Sequence, residues 1–311
     1  MLELQTSRGS TAARVTVRGA VAAGSELLRN AGIDNARLDA EVLLRHVLEV
    51  GKVEFYLGFD VGLDKTAERE FQKLLLRRAR REPLAYITGH KEFWSLDFVV
   101  TPAVLIPRPE TELLVELALR LSTPSSGTSR RKILDLGTGS GAVAVSLAKE
   151  LPLARVCAID NSAGAIEVAR LNARRHGVED RVEFFCGDLF EPVTAEREGY
   201  DLIVANPPYI RNGDLPGLAP EIREWEPITA LEGGADGLLY YRRIIPAAWD
   251  YLTTGGFILL ELGDAMGEAV ARLFADTGGF EPAQVYRDYA GKERVIAAAK
   301  ISAAGKGSDR G

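Results

Sequence analysis

Lys132-Ile-Leu-Asp-Leu-Gly-Thr-Gly-Ser-Gly141 sets the fold class of this chain. Lys132 to Leu136 is a short apolar run that reads as a buried strand, and Ala142 to Leu151 has a helical pattern. A strand, a glycine-rich turn and a helix in that order open an α/β unit. The same alternation continues downstream. Strands are predicted at Ala154–Ile159, Val182–Cys186, Leu202–Ala205 and Phe257–Glu261. Helices are predicted at Ala163–Arg175, Leu238–Leu252 and Met266–Asp276. Such alternation gives a mostly parallel sheet covered on both faces. Two last strands, Pro282–Asp288 and Arg294–Ala298, are joined by a turn at Ala290-Gly291, too short for anything but an antiparallel pair.

In an open α/β sheet, ligands sit beyond the carboxyl ends of the strands. There the chain carries Gly137, Gly139 and Gly141, with Asp135 just before them, Asp160 after the second strand, and Asp188-Leu189 after the third. A carboxylate at Asp160 can accept both hydroxyls of a ribose, and the third strand end can meet an adenine. The dinucleotide fingerprint is G-x-G-x-x-G. Here the glycine spacing is one residue short, and no hydride-transfer site follows. S-adenosylmethionine fits better: it has no phosphates to cradle, and its cationic groups can use a carboxylate such as Asp135.

After the fourth strand comes Asn206-Pro-Pro-Tyr209. Prolines have a fixed φ and no N–H. The carbonyls of Asn206, Pro207 and Pro208 are therefore free to turn toward a ligand, beside the Asn206 amide and the Tyr209 ring. Such a shelf suits a planar –NH2 group, with its N–H bonds on the carbonyls and its plane on the ring.

Upstream, Val15 to about Arg81 is helical in pattern, with Ala40, Leu43, Leu44, Val47 and Leu48 on one face. Asp34 and Asn35 stand where a cap is expected. Ala67 to Arg81 is dense in charge, which reads as a solvated face or as a docking surface for an acidic partner. Tyr86 to Val100 alternates around Gly89 and reads as a hairpin. In Leu105-Ile-Pro-Arg-Pro-Glu-Thr-Glu112, Glu110 and Glu112 sit in the first turn of a helix. The expected organisation is a helical bundle over 14–82 that recognises the substrate, a β-hairpin linker over 83–104, a catalytic domain over 105–300 and a disordered tail over 301–311. The first 13 residues are unpatterned, and Ser122 to Ser129 is a small-residue loop.

The 311 residues carry a net charge of -6 and are 46% hydrophobic, which disfavours a protein built mainly to wrap nucleic acid. Cys157 and Cys186 both fall in predicted buried strands and read as reduced core residues. The three histidines are scattered, so no metal site is expected. No apolar run reaches membrane-spanning length and no signal-peptide pattern opens the chain, so a cytoplasmic protein is expected.

The glycine turn and Asn206–Tyr209 together resemble the class I, seven-stranded S-adenosylmethionine methyltransferases that modify planar nitrogens. Further matches lie at Gly32–Glu41, Glu92-Phe-Trp-Ser-Leu96, Leu105–Glu112, Glu226-Pro-Ile-Thr-Ala-Leu231, Gly255–Phe257, Arg287–Tyr289 and Glu293–Val295. The whole set resembles the HemK/PrmC family of release-factor glutamine methyltransferases, from about Ala20 to Ala298. The Pro107–Glu112 segment is its most specific part. The resemblance implies methylation of side-chain N5 of the glutamine in the Gly-Gly-Gln loop of class 1 release factors. It implies cofactor contacts at Gly137, Thr138, Gly139, Ser140, Gly141, Asp160, Leu189 and Asn206, and substrate contacts at Asn206, Pro207, Pro208 and Tyr209. Phe93 reads either as hairpin core or as a wall of the glutamine pocket. A monomer acting on a protein, with no nucleic acid, membrane or metal partner, is expected. The rival readings are an amino-methyltransferase acting on DNA adenine or rRNA guanine, and a non-catalytic cofactor-binding regulator.

Overall fold

The computed structural model describes residues 14–122, 131–196 and 199–301. The expectations for the first 13 residues, for the loop over 123–129 and for the tail beyond 301 lie outside the described residues. The chain divides into two units, Met1–Thr88 and Gly89–Gly311.

The first unit is helical: α1 (Val17–Asn30), α2 (Ala36–Leu48), α3 (Lys52–Leu57), α4 (Lys65–Ala79) and α5 (Leu84–Thr88). Thr16 caps α1 by accepting from the Gly19 N–H, and Asp64 caps α4 by accepting from Thr66 and Ala67. Asn35 precedes α2 but makes no side-chain cap, because its backbone already turns at ψ 36° instead of staying extended. Leu28, Leu43, Leu44, Phe55, Phe71 and Leu75 form the core of this unit. The charged run on α4 is not a uniformly solvated face. Arg78 is buried and donates to Asp39 at 2.7 Å, while Arg77 pairs with Glu82. Tyr86 and Ile87, expected in the hairpin, belong to α5 instead. The Pro83 carbonyl accepts from both their amides, and Ile87 joins the helical core. So short an apolar run does not distinguish strand from helix by period.

The second unit opens with a hairpin, β1 (His90–Phe93) and β2 (Leu96–Val99). Its turn is Trp94-Ser95, both left-handed at φ 52° and 56°, not the Gly89 region. Phe93 and Phe98 meet edge to face at 6.0 Å. The main sheet comprises β3 (Lys132–Leu136), β4 (Arg155–Asp160), β5 (Val182–Cys186), β6 (Tyr200–Ala205), β7 (Leu252–Glu261), β8 (Gln284–Arg287) and β9 (Glu293–Ala299). Its order is β5-β4-β3-β6-β7-β9-β8; β3 to β7 run parallel, and β9 is antiparallel to both its neighbours. This is the seven-stranded class I methyltransferase sheet expected from the sequence.

Alternate residues of each strand supply the two faces. Ile133, Val156, Leu202 and Leu259 face a core built with α6 (Glu112–Ser122), α7 (Ala142–Glu150), α8 (Ala163–Arg175) and the hairpin. Leu134, Ile159, Ile203 and Leu260 face the other core; α9 (Pro220–Arg223) is a single turn in the long loop, and α10 (Leu239–Tyr251) and α11 (Gly267–Thr277) cover that side. Cys157 is buried there, whereas Cys186 is exposed at the end of the edge strand β5, contrary to its expected place in the core.

One buried polar residue ties these parts together. Asn172 on α8 is fully buried. Its Oδ1 accepts from Val99 N–H at 2.8 Å, and its Nδ2 donates to the carbonyls of Val99 and Ser140. It thus joins the hairpin, α8 and the glycine turn. Asn172→Leu keeps the volume but orphans these backbone groups, and is expected to cost about 3–5 kcal/mol. Urea unfolding checks this: the midpoint falls with an unchanged slope.

Candidate active site

Chain order in the sheet reverses between β3 and β6, which opens a crevice beyond their carboxyl ends. A cavity of about 810 Å3, open to solvent, lies there. Gly137 and Gly139 line it from the β3 end, Asp160 from β4, Asp188 and Leu189 from β5, and Asn206, Pro207 and Pro208 from β6. The three strand ends expected to form a nucleoside pocket therefore meet the proline shelf in one cavity.

Each part follows from local geometry. Gly139 sits at φ 55° with nothing within 4 Å of where a Cβ would stand, so the turn presents open backbone to the cavity. Its N–H donates to Asp160 Oδ2 at 2.9 Å, and Ser162 N–H donates to Asp160 Oδ1 at 2.9 Å. Each carboxylate oxygen keeps a further acceptor site for a ligand hydroxyl. Burial raises the Asp160 pKa, and those two N–H bonds oppose the rise. With Ile159 and Leu189 as apolar walls, the cavity fits a nucleoside such as that of S-adenosylmethionine.

Other expected contacts lie elsewhere. Asp135, Thr138, Ser140 and Gly141 do not line the cavity. Asp135 is buried beneath the turn and accepts from Thr138 Oγ1 at 2.6 Å. Burial pushes its pKa up to about 7; the Thr138 bond pulls it down and the Asp160 charge adds to the rise. Gly141 packs its backbone on α8, where a Cβ would stand 3.1 Å from that of Ala169. Phe93 lies in the core with α6 and α7, not in the cavity wall. Tyr209 does not line the cavity either. A Cβ at Gly263 would meet its ring at 2.8 Å, and Cβ atoms at Gly233 and Gly237 would meet its backbone at 2.6 and 2.5 Å. Three glycines thus clamp the residue that ends the shelf. Burial pushes the Tyr209 pKa to about 12, so its hydroxyl stays protonated at neutral pH.

Two groups of residues beside the site escaped the sequence reading. Glu226, from the loop after β6, accepts from Ile106 N–H at 3.1 Å and from Arg108 at 2.5 Å. This clasp joins the segments that supply Val104 and Leu105 on one wall and Pro227 and Thr229 on another. The motifs holding Arg108 and Glu226 were both visible in the sequence, but not their pairing. The second group is Thr111 and Glu261, beside Asn206. Asn206 Nδ2 donates to Thr111 Oγ1 at 3.2 Å, and the side chains of Thr111 and Asn206 both stand beside the Glu261 carboxylate and pull its pKa down. The signal for Glu261 was its place as the last residue of a buried strand.

Residues 19–89 match the PrmC N-terminal domain family, and residues 110–218 match the methyltransferase small domain family. The chain is 48% identical over 269 residues to the release factor glutamine methyltransferase of Geobacter sulfurreducens, covering 86% of this chain and 91% of that one. It is 43% identical to that of Moorella thermoacetica, covering 91% and 98%. Among solved structures, the hMettl16 catalytic domain, in complex with an RNA hairpin, superposes with a TM-score of 0.56 at 16% identity, over 72% of this chain and 82% of that one. That likeness is one of fold. No described helix is long and apolar enough to cross a membrane.

The buried Asp135 gives a pH prediction. Its folded pKa, about 7, lies above the ordinary carboxylate value of about 4. The folded state therefore holds the proton more tightly, and stability is lost as pH rises from about 4 through about 7. Asp135→Asn keeps an acceptor for Thr138 and removes the titration. The advantage of the variant over the wild type is expected to grow by roughly 2–3 kcal/mol between pH 5 and pH 7.5. Urea midpoints of the two ligand-free proteins across that range check it; parallel profiles would refute it.

Proposed function

Because the chain belongs to the release factor glutamine methyltransferase family, we propose that it methylates side-chain N5 of the glutamine in the Gly-Gly-Gln motif of class 1 release factors. The observation that carries this reading is the cavity itself: the Asn206-Pro207-Pro208 shelf lines the same space as Gly137, Gly139 and Asp160. S-adenosylmethionine, when bound, supplies an electrophilic methyl group on a sulfonium. Gly137, Gly139, Asp160, Leu189 and Asn206 are the residues assigned to hold it.

An amide nitrogen is a poor nucleophile, because its lone pair is delocalised into the carbonyl. The protein's task is then orientation and electrostatics. Asn206 Oδ1 and the Pro207 carbonyl accept the two N–H bonds of the glutamine amide and turn its nitrogen toward the methyl. As the N–C bond would form and the methyl's bond to sulfur break, its electron pair staying on a neutral thioether, positive charge would grow on that nitrogen, and both acceptors would strengthen. No strong base is needed in this step; the proton leaves afterwards to water. Tyr209, clamped by its glycines, holds the end of the shelf rigid, and the Glu226 clasp keeps the walls together.

Recognition of the whole release factor is assigned to the helical unit. On α3, Val53 and Leu57 stand one turn apart, 75% and 84% exposed, which is unusual for apolar side chains with no partner. Val53→Asp with Leu57→Asp is expected to raise KM for intact release factor at least about fivefold, with kcat unchanged. An unchanged KM would remove the assignment.

Methyl-labelled S-adenosylmethionine tests the function directly. Label is expected on release factor and not on its Gly-Gly-Gln→Gly-Gly-Ala variant, DNA or rRNA. Label on nucleic acid would overturn the substrate. Asn206→Ala is expected to lower kcat by roughly 10²–10³-fold, as for loss of one transition-state hydrogen bond, with cofactor affinity changed much less. Full turnover in this variant would contradict the orienting role of Asn206.

A further inference from the structure

The register of the sheet places a buried acid beside Asn206. Ala205 on β6 pairs in parallel with Leu260 on β7, so the next residues, Asn206 and Glu261, are neighbours on adjacent strand ends. Glu261 is 2% exposed, and its Oε2 has no hydrogen-bond partner. The residues around it are Thr111, Asn206, Tyr209, Glu110 and Arg294, and Tyr241 donates to its backbone carbonyl at 2.7 Å. Taking a carboxylate this far out of water is unfavourable, and a neutral side chain of the same shape would suit the fold better.

Hydrogen-bond direction gives the carboxylate a purpose. In its ionised form the carboxylate only accepts, so its two side-chain neighbours, Thr111 and Asn206, face it as donors, through the Thr111 hydroxyl and Asn206 Nδ2. The Thr111 oxygen is then left to accept, and it accepts from Asn206 Nδ2. An Asn side chain has one oxygen and one nitrogen at opposite corners. Fixing Nδ2 on Thr111 leaves Oδ1 as the corner free to accept from a substrate amide. Turned over, the same side chain would present a donor to a donor.

We infer that Glu261 is a positioning residue which, acting through Thr111, holds the Asn206 amide with its oxygen toward the substrate nitrogen. The inference rests on the orienting role given to Asn206 above. It also places a carboxylate behind the acceptor, and in its ionised form this strengthens Oδ1 as the substrate nitrogen becomes positive. Glutamine at 261 can donate, which permits the reversed chain of hydrogen bonds and so the overturned Asn206.

The test compares four variants of the full chain by turnover on release factor, calorimetric affinity for S-adenosylmethionine, and melting temperature. Glu261→Gln and Thr111→Val are each expected to lower kcat at least about tenfold, with cofactor affinity within about threefold. Melting temperature is expected to hold or rise in Glu261→Gln, because a buried charge is removed. Thr111→Ser keeps the hydroxyl and is expected to recover most of the turnover that Thr111→Val loses. A structural role predicts the opposite order, since Val conserves volume and Ser does not. Val at wild-type turnover, or Glu261→Gln losing turnover only in step with stability and cofactor affinity, would overturn the inference. Asn206→Ala separates the two levels. If it loses turnover while Glu261→Gln and Thr111→Val keep theirs, this inference alone fails. If it keeps turnover, the orienting role of Asn206 fails first.

Discussion

Dry carboxylates at the ends of parallel strands are the constraint on which the rest of this site depends. β3 ends in Asp135 with one further residue, β4 ends in Asp160, and β7 ends in Glu261. Parallel strands aim their carboxyl ends at one rim, so acids from distant parts of the chain are gathered at one end of the sheet, with Asp160 in the cavity lining. Burial raises the pKa of all three, to about 7 for Asp135 and Glu261. None of the three sits against a lysine or arginine at ion-pair distance among the described residues. Their partners are hydroxyls and backbone N–H groups instead: Thr138 for Asp135, Gly139 and Ser162 for Asp160, Thr111 for Glu261. Neutral partners orient an acid without cancelling its charge. Of the three, Asp160 lines the cavity, where its charge favours a cationic ligand.

The same rim explains why the surrounding structure is so closely tied. Backbone amides can hold a carboxylate only if the turn that carries them is fixed. Asn172 fixes the glycine turn by taking the Ser140 carbonyl, and anchors it to the hairpin through Val99. The shelf is fixed from the other side. Tyr209 fits only because residues 233, 237 and 263 have no side chain. The walls are closed by Glu226, which draws on Ile106 and Arg108. Segments separated by more than a hundred residues thus converge on one site, and rigidity there is what converts weak acceptors into useful ones.

Legibility in the sequence followed the range of the interactions. The glycine turn, the strand–helix alternation and Asn206–Tyr209 are local patterns, and the sheet, its antiparallel end and the cavity follow from them. Cys186 and Tyr86 were misplaced for a local reason. An apolar run of five residues does not say which end reaches the sheet edge, nor whether it coils into a helical turn. Phe93 was ambiguous because an aromatic in a hairpin packs equally well inward or toward a ligand; α6 and α7 decide it. Asp135 was expected at the cofactor because it stands next to the glycine turn; its side chain, one step inside the strand, is buried beneath that turn on Thr138. Thr111 and Glu261 were invisible as a pair. One lies in a turn before α6 and the other 150 residues on; the β6–β7 register brings Glu261 beside Asn206, and a hydrogen bond from Asn206 brings Thr111 there.

Glu261 differs from the other two acids in what it leaves unsatisfied. Asp160 has a backbone N–H on each oxygen and Asp135 has Thr138 and the Ala144 N–H, whereas Glu261 Oε2 has no partner. An orphaned oxygen in a fully buried carboxylate is a standing cost to the fold, and folds retain such costs most often where chemistry needs them. Arg294 lies near enough to pull the Glu261 pKa down, yet it pairs with Asp288 at 2.9 Å instead. Had that guanidinium closed on Glu261, the acid would be neutralised and Thr111 would lose its preferred acceptor. The arrangement keeps the positive charge engaged elsewhere and the negative charge behind Asn206, so that hydrogen-bond direction runs one way from the shelf into the protein.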